Sequence, residues 1–163
     1  MFGYSDENGF PQERVDELFI QYKKEFDEKK SLLNNNDLRL MSDDFMPIYS
    51  SFYILGFYEH AESLSYEGLM WRYGYGVQQY NLLAFNCFEK AVRLGGRTLL
   101  SSMAYYELGL MYQQGEVVKK DLLKARTLFM KAIEKDGNEQ ARIQLDEINK
   151  LILCNYLGPG YTL

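Results

Sequence analysis

One histidine and two cysteines in 163 residues leave little for metal or nucleophile chemistry. His60 has no second imidazole anywhere and no cysteine near it, so neither a zinc site nor a Ser-His-Asp arrangement has enough groups. No catalytic residue, no metal site and no cofactor are expected, and His60 reads as a helix-end or surface residue. Cys87 and Cys154 lie in different segments, so no disulfide is expected and Cys87 reads as a small buried hydrophobe. No stretch reaches the roughly 18 consecutive apolar residues of a membrane span. The richest run, Phe45 to Tyr58, is broken by Pro47, Ser50 and Ser51 and reads as a buried helix. The first residues, Met1-Phe2-Gly3-Tyr4-Ser5-Asp6-Glu7-Asn8, carry neither the basic nor the apolar region of a secretory signal. A cytoplasmic protein without a membrane partner is the expectation.

Basic charge is scarce in the first half. Residues 1–67 hold 14 acidic and 6 basic side chains, and residues 68–163 hold 9 and 12, giving −8 and +3. An acidic half repels phosphate backbones and speeds encounter with a basic partner, so nucleic acid is not expected as a ligand. Paired carboxylates such as Asp43-Asp44 and Asp146-Glu147 are adjacent in sequence and diverge on a helix, as solvating charges do. Gly74-Tyr75-Gly76 and Gly95-Gly96-Arg97 match no complete phosphate-loop fingerprint and read as loop punctuation.

What is present is a repeat. Gly68-Leu69-Met70-Trp71-Arg72-Tyr73-Gly74 returns 41 residues later as Gly109-Leu110-Met111-Tyr112-Gln113-Gln114-Gly115, and 11 of 29 aligned pairs between 68 and 96 are identical. A fixed period of this length marks stacked supersecondary units. With 47% hydrophobic and 15% aromatic residues, the chain has ample material for a core. Ala104, Leu108, Met111 and Tyr112 fall at i, i+4, i+7 and i+8, along one stripe of a helix. Gly68 and Gly109 sit inside such helices at a cost of about 1 kcal/mol relative to alanine, which points to close approach by a neighbouring helix. Ala84, Ala91, Ala125 and Ala132 are expected to supply the small facing surface. Gly74 and Gly115 should end the first helices, and Asp121 should cap the second helix of the second unit. Tyr80, its counterpart, cannot, and Asn81 is expected to take over one position later.

These residues resemble the Sel-like repeat, a subclass of the tetratricopeptide-type α/α solenoids. The second copy fits through Ala104, Leu108, Gly109, Met111-Tyr112, Gly115, Asp121, Lys124-Ala125, Phe129, Lys131-Ala132 and Gly137. The first departs at Ser63, Glu67, Trp71 and Tyr80. The resemblance implies an all-α fold, a short α/α solenoid of about two repeats with an N-terminal helical hairpin and a C-terminal capping helix. The corresponding division is a tail at 1–10, a degenerate hairpin at 11–60, repeats at 61–100 and 101–137, a capping helix at 138–154 and a tail at 155–163. Val15, Leu18, Phe19, Tyr22, Phe26 and Leu33 form the apolar stripe of the first helix, which opens at Pro11. Asn34-Asn35-Asn36-Asp37 reads as the hairpin loop. Ala141, Leu145, Ile148 and Ile152 should face inward on the capping helix.

In two-helix repeats of this class the first helices line a concave face, and positions flanking the core stripe look outward. Those positions include Glu62, Ser65, Leu69, Arg72 and Tyr73 in the first copy and Met103, Tyr106, Leu110, Gln113 and Gln114 in the second. Tyrosine and arginine are over-represented among energetically dominant interface residues. Ser65, Leu69, Arg72, Tyr73, Tyr106, Leu110, Gln113 and Gln114 are therefore the expected partner-binding residues, whereas Trp71 and Tyr112 are expected in the core. The resemblance implies a non-catalytic module that binds another protein, either as an adaptor or as a bacterial immunity protein that blocks a basic toxin. A self-assembling scaffold subunit, forming a homo-oligomer, is the alternative.

Overall fold

A computed structural model describes residues 11–34, 44–95 and 102–157. Among them every regular element is an α-helix: α1 Gln12–Asn34, α2 Met46–Phe57, α3 Ala61–Tyr73, α4 Asn81–Leu94, α5 Met103–Gln114, α6 Leu122–Asp136 and α7 Glu139–Leu157. The fold class is all-α, of the α/α solenoid type. The chain divides into two compact units, residues 1–100 and 101–163, so each repeat belongs to its own unit. The expected tail at 1–10, the loop residues Asn35, Asn36 and Asp37, Gly96, and Gly158-Pro159-Gly160 lie outside the described residues.

In the first unit α1 packs on α2, α2 on α3 and α3 on α4. Val15 and Phe26 are fully buried, and Phe26 holds α1 down through ring contacts to Phe45, Phe52, Tyr66 and Tyr75 at 5.3–6.1 Å between centroids. Rings in such tilted and edge-on pairs add modestly to the area they bury. The turn between α2 and α3 is short and passes through Glu59 at φ 59°. His60 then caps α3: its Nδ1 accepts from the Ser63 backbone N–H at 3.1 Å, and its Nε2 lies 3.4 Å from Asp16 on α1. The histidine is thus at a helix end, but buried rather than on the surface. Burial pulls its pKa below the ordinary value, against the opposing pull of Asp16.

The interior glycines explain the helix pairing. A Cβ built on Gly68 would lie 2.6 Å from the Phe88 ring, and one on Gly109 would lie 2.6 Å from the Phe129 ring. The facing surface expected from alanines is therefore an aromatic ring. Ala84, Ala91, Ala125 and Ala132 are fully buried on α4 and α6, but the phenylalanine lying on the glycine is what forbids a side chain there. Gly74 and Gly115 end α3 and α5 with φ of 75° and 73°, a conformation that costs glycine nothing.

In the second unit α5 packs on α6 and α6 on α7. Ala104, Leu108, Met111 and Tyr112 are all buried, as their spacing requires. Asp121 caps α6 by accepting from the Lys124 N–H at 2.9 Å, whereas α4 begins at Asn81 with Tyr80 in the cap position and no side-chain cap bond. Asn138 ties the start of α7 to the start of α5 by donating to the Ser102 hydroxyl at 2.8 Å, and its own Oδ1 accepts from Ala141 N–H. On α7, Ala141 and Ile148 are buried and Leu145 and Ile152 are half-buried. The helix continues through Leu157, so Asn155 to Leu157 are helical and not part of a tail. One more turn fits because nothing at 155–157 breaks the helical hydrogen bonding.

Gly109→Ala should destabilise the fold by about 1–3 kcal/mol, a fall in Tm of several degrees, although helix propensity alone would give a gain of about 1 kcal/mol. Calorimetric melting decides between the two signs. For His60, the depressed folded pKa means that stability is present above the unfolded value of 6.5 and is lost as pH falls through the folded value. His60→Asn, which keeps a capping acceptor, should remove that component of acid sensitivity, read as a flatter Tm against pH curve below neutrality.

Candidate functional site

The first repeat contains a cleft that its sequence did not announce. A cavity of about 350 Å³ lies between α2, α3 and α4, wholly inside the first unit. Tyr49, Tyr53 and Phe57 reach it from α2, Glu67 and Trp71 from α3, and Cys87 and Lys90 from α4. Its walls are aromatic: Tyr49 meets Trp71 edge-on at 5.4 Å and Tyr53 in a tilted pair at 6.1 Å between centroids. Phe57 is 79% exposed and Tyr53 58%, so the rim is open to solvent.

A single carboxylate is sunk into this aromatic site. Glu67 is only 7% exposed and accepts from the Trp71 indole N–H at 3.4 Å and from the Cys87 thiol. Burial raises its pKa, and the bonds to Trp71 and Cys87 and the nearby Lys90 charge pull the other way. Burial also pushes the Cys87 thiol up, with the Glu67 charge adding to the effect, so the thiol stays protonated and can donate. The Tyr49 hydroxyl is pushed up to about 12, first by burial and then by Glu67. Lys90 sends its ammonium to the Gly56 carbonyl at 3.4 Å. Cys87 is therefore a hydrogen-bond donor to a carboxylate, not merely a small hydrophobe.

The second repeat supplies the comparison. Glu67 and Cys87 correspond, at the 41-residue offset, to Leu108 and Leu128, both buried. Two buried apolar positions in one copy are a carboxylate and a thiol in the other. Trp71, expected in the core, is half-buried as a cleft wall, because polar Glu67 beside it cannot close the packing as Leu108 does; Tyr112 is buried as expected.

The expected binding residues divide. Ser65, Leu69 and Arg72 do not look outward: all three are buried, and the Ser65 hydroxyl is spent on the Ala61 carbonyl at 3.0 Å. The cause is the amino-terminal hairpin, which lays α2 against α3 while α4 holds it from another side, leaving every residue of α3 from Ser63 through Met70 buried. Tyr73, at the end of α3, is 49% exposed. On α5, Tyr106, Leu110 and Gln113 are half-buried and Gln114 is exposed. Tyr106 rests against Phe129, and Gln113 keeps its Oε1 buried without a hydrogen-bond partner. The run at Phe45 to Tyr58 also departs from expectation. It is a helix with one buried face, Ile48, Phe52, Leu55 and Gly56, and an exposed one bearing Met46, Tyr53, Ile54 and Phe57. Only an amphipathic period could have flagged that face, and Ser50 and Ser51 are too few polar residues in α2 to mark one. Among the described residues no group of three His, Cys, Asp or Glu side chains could hold a metal ion, and no helix is long and apolar enough to cross a membrane.

Because the folded chain holds the Glu67 proton more readily than the unfolded chain, this group favours the fold in acid, and that contribution is lost as pH rises through the carboxyl range. Glu67→Leu, which copies Leu108, should therefore raise Tm at neutral pH by the equivalent of about 1 kcal/mol, with the gain shrinking below about pH 4. Melting curves at the two pH values test the sign.

Against families of known proteins, the Sel1 repeat model matches residues 64–96 and 102–137. Sel1 repeats generally mediate protein–protein interaction. Among solved structures, the chain is similar to a Sel1 repeat protein from Oxalobacter formigenes, with a TM-score of 0.56 and 22% identity over 72% of this chain. The match spans 43% of that protein, so it speaks for the fold alone. Comparison with curated proteins gives no match. The two segments that carry the 41-residue period are thus the ones that match the Sel1 repeat, in tandem.

Proposed function

We propose that this chain is a non-catalytic module that binds another protein, and that the first unit carries its principal contact surface. One observation supports this most directly: α2 leaves Met46, Tyr53, Ile54 and Phe57 exposed along one face, next to the aromatic cleft. A contiguous apolar patch of large side chains costs solubility and is kept where a partner covers it. Residues 1–67 carry −8, which favours encounter with a basic partner. On the second unit, Tyr106, Leu110, Gln113 and Gln114 offer further contact positions on α5, and Tyr73 does so at the end of α3. Ser65, Leu69 and Arg72 take no part in this reading.

Within that class the specific reading is immunity, in which the acidic surface neutralises a basic toxin inside the producing cell. The charge of the first 67 residues supports it. Growth of cells expressing a toxin encoded beside this protein should be rescued by the intact chain, and absence of rescue favours a general adaptor. The self-assembling alternative predicts a concentration-independent oligomer by light scattering, with Tyr106 and Leu110 protected.

The double variant Tyr53→Ala, Phe57→Ser removes exposed side chains and should change stability by no more than about 0.5 kcal/mol. Affinity purification from the native host, compared between the intact chain and this variant by mass spectrometry, should show a protein retained by the first and lost by the second. Equal retention by both would remove α2 from the contact surface.

A further inference from the structure

Resting on the protein-binding reading, we propose that the cleft of the first repeat is a receptor for one arginine side chain of the partner, paired with Glu67 and laid against the Tyr49, Tyr53 and Trp71 rings. A planar, weakly hydrated guanidinium stacks on aromatic faces and bonds a carboxylate through a fork of N–H donors, whereas an ammonium is compact and strongly hydrated. The cleft offers both halves of that recognition: aromatic walls open at the rim, and an acceptor-only group at depth. Its volume of about 350 Å³ admits a long side chain.

Two independent features point the same way. The second repeat shows that this position needs no charge, since Leu108 and Leu128 fill it without polar atoms. A carboxylate placed there costs desolvation, and that cost is met where a cation arrives to share the site. The protein also already holds one cation at the cleft, since Lys90 lines it with its ammonium 3.4 Å from the Gly56 carbonyl and its charge felt by Glu67. Lys90 then acts as a resident competitor that an entering guanidinium displaces towards solvent.

Trp71 is the sole tryptophan and forms a wall of the cleft, so its fluorescence reports on occupancy. The experiment is a titration of the full chain with N-acetyl-arginine methylamide, with the citrulline and lysine analogues as neutral and ammonium controls. The expected result is a saturable change in Trp71 emission in the millimolar range for the arginine compound and none for citrulline. Glu67→Gln and Glu67→Leu should each weaken it about tenfold or more while the chain stays folded by circular dichroism, and Lys90→Met should strengthen it. No saturable change, an equal response to citrulline or lysine, or an unchanged response in both folded Glu67 variants overturns the proposal. If the cleft fails this test while loss of Tyr53 and Phe57 still abolishes partner capture, the protein-binding reading stands without the arginine. If the titration succeeds and capture is indifferent to α2, the reverse holds.

Discussion

The contact of Gly68 with the Phe88 ring, repeated by Gly109 with Phe129, sets how closely the two helices of each repeat approach. Packed interiors have few voids and little tolerance for added volume, so one missing Cβ fixes both the distance and the register of the pair. The αL glycines at 74 and 115 then turn the chain at the point where the second helix can return over that ring. The near-identity of the two contacts, in copies that share 11 of 29 residues, marks this as the element of the repeat that varies least.

What varies is built on top of it. The first copy keeps the glycine, the phenylalanine and the alanines but exchanges an apolar pair for Glu67 and Cys87 and a tyrosine for Trp71. Each exchange gives up packing that the second copy retains. The amino-terminal hairpin completes the difference, because α2 supplies Tyr49, Tyr53 and Phe57 as the outer wall of a cleft whose floor is the altered repeat. A surface for a partner thus arises where a structural unit departs from its own pattern, and the internal duplicate makes that departure visible without any relative.

Much of this was legible in the order of residues. Helix ends followed from Gly74, Gly115 and Asp121, and the buried stripe of α5 from the spacing of Ala104, Leu108, Met111 and Tyr112, because backbone conformation and helical period are local properties. The substitution of Glu67 for leucine and of Trp71 for tyrosine was also visible, but as a weaker match to a pattern and not as a site. The outward face assigned to α3 failed at Ser65, Leu69 and Arg72, since a two-helix repeat by itself gives no account of a third helix laid against it. Likewise the largely apolar α2 hid the fact that Tyr53, Ile54 and Phe57 face water.

Sequence by itself determined that the chain is a tandem of helical hairpins, where α3 and α5 stop and which face of α5 is buried, because these depend on dihedral preference, capping and a 3.6-residue period within a few turns. Only tertiary structure decided that α3 is enclosed, that α2 keeps an exposed aromatic edge and that Glu67 is buried beside Trp71 in a cleft. Those outcomes depend on which helices meet at long range, and a side chain's solvent exposure and pKa are set by its neighbours in space.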